Sequence, residues 1–205
     1  MTEALAVAAA YLLGSIPFAY LAGRSRGVDL RTIGSGNLGA ANVFRALGKG
    51  MGIAVMAADI GKGVAAVLLA RAITDDPWPA IAAGAAVAGH VFPVWMGFKG
   101  GKGVAVGGGA VIGLMPLASL ILLPFWLVVV VISRYTSLGA ILGSIAAVPV
   151  VWALGYSTPN IAFTAVVAAA VLLLHRGNIV RLLQGRENRI DLSGRAARRG
   201  PGARA

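Results

Sequence analysis

The run FKGGKG, Phe98 to Gly103, sets Lys99 and Lys102 among glycines between two apolar segments. Glycines let successive backbone N–H groups turn toward one anion, and lysines at a membrane edge add point charge, so the stretch is expected to cradle phosphate. The bland alternative is a flexible basic turn on the inner side of a membrane. It is not a Walker A loop, which needs four residues between its first glycine and Gly-Lys and then Ser or Thr; here Gly103 follows Lys102.

Other residues suited to chemistry lie far from it in sequence. His175, a possible base or anion donor, is followed at helical spacing by Asn178 and Arg181, which puts a donor set on one helix face. Glu187 can hold basic side chains in place or be solvated. Ser35, Asn37 and Asn42 read as turn and cap residues of a basic, glycine-rich loop, 24–50, that also carries Arg45. Within that loop, GSGNLG fits the dinucleotide pattern but lacks the strand–helix–strand setting it requires. Asp59 and Lys62 share a helix face inside an apolar run, as a packing ion pair or as a substrate contact. His90 reads as a helix-packing histidine. With no cysteine and two histidines, thiol chemistry and histidine-rich metal sites are excluded.

The elements that must position these groups are membrane helices. Of the 205 residues 58% are apolar and 12% charged, and the mean hydropathy is +0.83. A net charge of +11 would suggest nucleic acid in a soluble chain. Here the apolar runs decide against it and point to positive-inside bias and to anionic lipids or phosphorylated substrates. The expected fold is all-α and polytopic, with about seven spans: 4–23, 51–70, 80–98, a short 104–115, 117–132 with Pro124 as a kink, 138–154 and 161–174. The run 104–132 would extend roughly 43 Å as one helix, too long for one crossing, so Pro116 is expected to divide it. If the short fourth segment is re-entrant, the count falls to five or six. Every Lys and Arg except Lys62 and Arg71 falls in segments assigned to the inside, which places the N-terminus outside and the C-terminus in the cytoplasm. Residues 1–190 are expected to form one membrane domain and 191–205 a basic, disordered tail. The pairs Gly109/Gly113 and Gly139/Gly143 suit close helix approach.

Three blocks on the expected cytoplasmic side, SGNLGAANVFR (35–45), GHVFPVWMGFKGGKGVA (89–105) and HRGNIVRLLQGRE (175–187), closely resemble the bacterial acyl-phosphate:glycerol-3-phosphate acyltransferases, the PlsY family, in order and spacing. The resemblance spans about residues 12–187. Ala41 and Val106 stand where that family usually has Thr. The resemblance implies acyl transfer from acyl phosphate to the first hydroxyl of glycerol 3-phosphate, giving lysophosphatidic acid and phosphate. It implies a monomer in the bacterial inner membrane with its site facing the cytosol, and neither cofactor nor metal. On this reading Gly100, Gly101, Lys102 and Gly103 bind the phosphates, and Ser35 and Arg45 hold glycerol 3-phosphate. His175 and Asn178 orient it, His175 being base or positioner, and Ser137, Asn37 and Glu187 complete the binding set. The acyl tail would lie in an apolar groove between spans. A transporter of a small phosphate ester or anion is the rival reading, opposed by the gathering of polar segments on one face.

Overall fold

The computed structural model describes residues 1–190, and every regular element among them is helical. The tail expected to be disordered, 191–205, lies outside the described residues. In chain order the helices are α1 (Thr2–Gly14), α2 (Phe18–Arg24), α3 (Ala40–Leu47), α4 (Lys49–Ile73), α5 (Trp78–Val91), α6 (Val104–Leu114), α7 (Pro116–Ser133), α8 (Thr136–Ala153), α9 (Thr158–Leu174) and α10 (Arg176–Leu183). A single 3₁₀ turn, Val94–Met96, follows α5.

Five stretches are long and apolar enough to cross a bilayer: α1 with α2, α4, α5 with its 3₁₀ turn, α7 and α8. A sixth is reached if α9 and α10, bent by 57°, count together, while α6 falls among the shorter apolar helices. The protein is therefore an all-helical, multi-pass membrane protein. Its α6 has 11 residues, about 16 Å of helix, and Pro116 does divide the long apolar run.

Boundaries differ from expectation in three places. The first span is broken over residues 15–17, because Pro17 lacks the N–H that a continuous helix needs. The basic loop 24–50 contains α3, whose Asn42 and Val43 are buried. Arg71, expected in an outer turn, sits in the last turn of α4 and donates to the Gly113 and Leu114 carbonyls at 2.8 and 3.0 Å. Those are carbonyls that the end of α6 leaves without helical partners.

Glycine brings the inner helices to backbone contact. A Cβ on Gly109 would collide with the Ile60 carbonyl, and one on Gly63 with that of Val106, so α4 and α6 touch at two levels. Gly14 and Gly89 do the same for α1 and α5. In a bilayer, where apolar side chains gain little from leaving lipid, such close approach supplies the packing attraction. On the other side Gly139 of α8 seats Trp126 and Val130 of α7, leaving a space between these two groups of helices.

Candidate functional site

The loop between α2 and α3 is held from below by one side chain. Asn42, 0% exposed, donates from Nδ2 to the Leu30 and Ile33 carbonyls at 3.1 and 3.2 Å and accepts the Ser35 N–H at 3.0 Å. Its spacing alone read as a turn or cap; the observed role is to organise the Ser35 loop. One turn further along α3, Arg45 Nη2 lies 3.4 Å from Ser35 Oγ. Arg45 Nε is buried and has no hydrogen-bond partner among the described residues.

At the opposite wall, Lys102 Nζ donates to Asn178 Oδ1. Asn178 Nδ2 in turn donates to Glu187 Oε1 at 2.6 Å, and the same oxygen accepts Ser137 Oγ–H at 2.9 Å. Arg181 Nε donates to Glu187 Oε2 at 2.7 Å. One carboxylate thus ties together the start of α8, α10 and, through Asn178, the glycine loop. His175 stands at the bend between α9 and α10, with its Nδ1 2.7 Å from the Val171 carbonyl. A carbonyl only accepts, so the Nδ1 proton is assigned there, and Nε2 is left as the free acceptor.

The glycine loop turns its first two glycine N–H groups toward the end of α5 and not toward the cavity. The N–H groups of Gly100 and Gly101 donate to the Val91 and His90 carbonyls at 3.0 and 3.1 Å. Neither residue lines the main cavity. Their lack of a side chain serves close packing instead, since a Cβ on either would strike His90. Only Lys102 and Gly103 of the expected cradle reach the cavity, joined by Val104 and Ala105 in the first turn of α6, whose N–H groups have no partner within the helix. Gly103 carries φ +78° at that turn, a backbone region that favours glycine. Lys99 is exposed and lies away from the cavity.

The side chains of the two walls meet at one cavity of about 600 Å³. Its polar end has Ser35, Asn37, Arg45, Lys102, Gly103, Ser137, His175, Asn178, Arg181 and Glu187. From there it runs between helices over Met56 and Ile60 of α4, Gly108 and Val111 of α6, Leu123, Trp126 and Leu127 of α7, Gly143 of α8 and Phe163 of α9. A polar head and a long apolar body is the shape of an acylated phosphate.

The electrostatics favour an anion. Burial, then the positive charge of Arg181 and, against an opposing Glu187, that of Arg45, push the Lys102 ammonium below its ordinary value. Burial also lowers Arg45. Burial and the nearby Lys102 charge press the His175 imidazole down to about 4. Burial alone would raise Glu187, but hydrogen bonds from Asn178, Arg181 and Ser137 leave it lowered and charged. Arg45, Lys102, Arg176 and Arg181 all line the cavity, with Glu187 as the carboxylate beside them.

A family model described as glycerol-3-phosphate acyltransferase matches residues 4–185. A glycerol-3-phosphate acyltransferase of Rubrobacter xylanophilus is 47% identical over 190 residues, covering 92% of this chain and 96% of the relative. Its counterpart in Geobacter metallireducens is 50% identical over 190 residues, covering 92% and 98%. The crystal structure of PlsY (YgiH), an integral membrane glycerol 3-phosphate acyltransferase in its glycerol 3-phosphate form, is similar with a TM-score of 0.89 and 41% identity, covering 93% of this chain and 96% of that one. The lysophosphatidic acid form of PlsY gives 0.86 and 40%, covering 92% and 95%.

Proposed function

This chain belongs to the glycerol-3-phosphate acyltransferase family and is an acyltransferase acting on glycerol 3-phosphate; we propose that its donor is acyl phosphate and that the cavity binds both substrates together. The observation that carries this is the surplus of Arg45, Lys102, Arg176 and Arg181 over Glu187 at the polar end of a cavity whose body is mainly apolar. Two phosphates supply the missing negative charge, and one acyl chain fills the apolar body.

In this reading Arg45, with its unpartnered Nε, and Ser35 take the phosphate of glycerol 3-phosphate, with Asn37 at the rim. Lys102, Gly103 and the first N–H groups of α6 take the phosphate of the donor, where the helix dipole adds to the lysine charge. Asn178, steered by Glu187, and His175 through Nε2 align the acceptor hydroxyls. The hydroxyl oxygen then attacks the acyl carbonyl carbon, the carbonyl-to-oxygen bond of the anhydride breaks, and phosphate departs with the bond's electron pair. With His175 pressed down to about 4 in the free protein, it is a weak base. A phosphate monoester oxygen, whose second pKa is about 6, is the stronger acceptor for the hydroxyl proton. His175 is accordingly a positioner, and catalysis rests on juxtaposition and on charge stabilisation of the leaving phosphate.

In the same reading the enzyme is a monomer with one domain, residues 1–190. The gathering of the site groups at the end rich in Lys and Arg supports a site on the cytosolic side of the bacterial inner membrane, with the N-terminus outside. Purified protein given acyl phosphate and labelled glycerol 3-phosphate is expected to yield labelled lysophosphatidic acid. Uptake of label into liposomes without product would instead identify a transporter, and product from acyl-CoA but not acyl phosphate would overturn the donor assignment.

A further inference from the structure

Beneath the glycine loop lies a second buried cluster, separate from the network around Glu187. The side chains of Asp59 and Lys62, one turn apart on α4, are each 2% exposed, and that of His90 near the end of α5 is 8% exposed. Lys62 Nζ forms an ion pair with Asp59 Oδ1 at 2.8 Å. It lies 3.0 Å from His90 Nδ1 and donates to the Ile16 carbonyl at 2.8 Å. An ammonium has no lone pair, so toward the Ile16 carbonyl and the His90 ring Lys62 is a donor, and His90 Nδ1 also lies 3.6 Å from Asp59 Oδ1. His90 Nδ1, facing an ammonium, must be the acceptor, which assigns the ring proton to Nε2.

That ring edge meets the glycine loop. A Cβ on Gly101 would collide with His90 Nε2, and the Gly101 N–H donates to the His90 carbonyl at 3.1 Å. Gly101 is therefore held by both the ring and the backbone of His90, one residue before Lys102. The other contact of Lys62, the Ile16 carbonyl, belongs to the break between α1 and α2. There Ala19 and Ala22 share a small core with Leu30, Leu38 and Val43 under the Ser35 loop. Asp59 and His90 reach the cavity wall, while Lys62 lies behind them in a small adjoining space.

A buried ionic cluster is a poor device for stability alone, because desolvating the charges offsets most of their attraction. We propose that Lys62, with Asp59 and His90, is a positioning group for the reaction. It sets the His90 ring and so the register of Gly101 and the aim of Lys102, and the same ammonium fixes the helix break under the Ser35 loop. Both phosphate-holding loops thus hang from one buried charge. The inference rests on the reading that Lys102 and Ser35 hold phosphate.

The test uses full-length protein purified in detergent, with Tm, kcat and KM for both substrates, and calorimetric titration of glycerol 3-phosphate without donor. The pair Asp59→Asn with Lys62→Met leaves no unpaired buried charge. It is expected to stay folded yet lose about tenfold or more in kcat/KM and in glycerol 3-phosphate affinity. His90→Leu should lose a similar factor, and His90→Asn, which keeps an acceptor near the Nδ1 position, should recover most of it. A folded neutral pair within about threefold of the native protein in both readouts overturns the positioning role. A neutral pair that does not fold assigns the cluster to the fold alone and overturns it too. Native protein inactive with acyl phosphate would defeat the donor assignment, whereas the donor-free titration still decides the role of Lys62.

Discussion

Glu187→Gln isolates the carboxylate on which three elements converge. The side chain is 6% exposed. Its Oε1 accepts Asn178 Nδ2 at 2.6 Å and Ser137 Oγ–H at 2.9 Å, and its Oε2 accepts Arg181 Nε at 2.7 Å. An amide presents oxygen to only one of these sides. With the oxygen toward Arg181, the new NH₂ faces the donor Asn178; with the oxygen toward Asn178, it faces the arginine. One charge-assisted bond is lost in either case, worth about 1.5–3 kcal/mol. The Arg181 side chain is 39% exposed, and solvent screening makes its bond the cheaper one to lose, so the amide oxygen stays with Asn178 and Ser137, and Asn178 then has a neutral acceptor in place of a charged one. About 2 kcal/mol then separates the variant from the native protein, or roughly 30-fold in kcat/KM if Asn178 no longer presents Oδ1 to Lys102. Initial rates at varied glycerol 3-phosphate, with Tm followed in parallel, measure this. In an Asn178→Ala background the Glu187→Gln change should add little, because both act through one group. Rates within about threefold of native, or full additivity in the double variant, would refute the reasoning.

Lys102→Met should lose at least about a hundredfold in kcat/KM while remaining folded, and Lys102→Arg should not restore it, because a planar fork does not replace a point charge held against Asn178; activity of the purified variants decides. Asn42→Ala breaks three hydrogen bonds in a fully buried place, so it should cost about 2–4 kcal/mol of stability and raise KM for glycerol 3-phosphate, read by Tm and kinetics. For His175, whose folded value is pressed from 6.5 down to about 4, the unfolded chain binds a proton that the folded chain does not across that interval. Stability should therefore fall as pH drops from 6.5 toward 4 and be level in this respect above it; His175→Gln should flatten that acid slope in a Tm series.

Much of this arrangement was legible in the residues. Apolar length marked the membrane helices, and Pro116 divided the long run as its chemistry requires. Ser35, Asn37, Arg45, Lys102, Gly103, Ser137, His175, Asn178 and Glu187 do share one cavity. What was not legible depends on contacts between elements distant in sequence. A glycine N–H points to a ligand or to a carbonyl according to where the preceding helix ends, and the end of α5 claims those of Gly100 and Gly101. Asn42 looked like a cap because its partners, the Leu30 and Ile33 carbonyls, belong to a loop with no regular pattern. The Asp59 and Lys62 pair was visible at helical spacing, but His90 joins it only because α4 and α5 pack together. The break at Pro17 had a signal in the sequence, a proline inside an apolar run, and it matters because the Ile16 carbonyl there accepts from Lys62 as well as from the Phe18 N–H.

The central claim is direct attack of glycerol 3-phosphate on the carbonyl of a bound acyl phosphate. Donor carrying heavy oxygen at the bridge between carbonyl and phosphorus tests it in one mass-spectrometric measurement on the purified protein. The account predicts lysophosphatidic acid and inorganic phosphate in equal amounts, with all the heavy oxygen in the phosphate. Heavy oxygen retained in a free fatty acid, or lysophosphatidic acid formed without release of labelled phosphate, would contradict it.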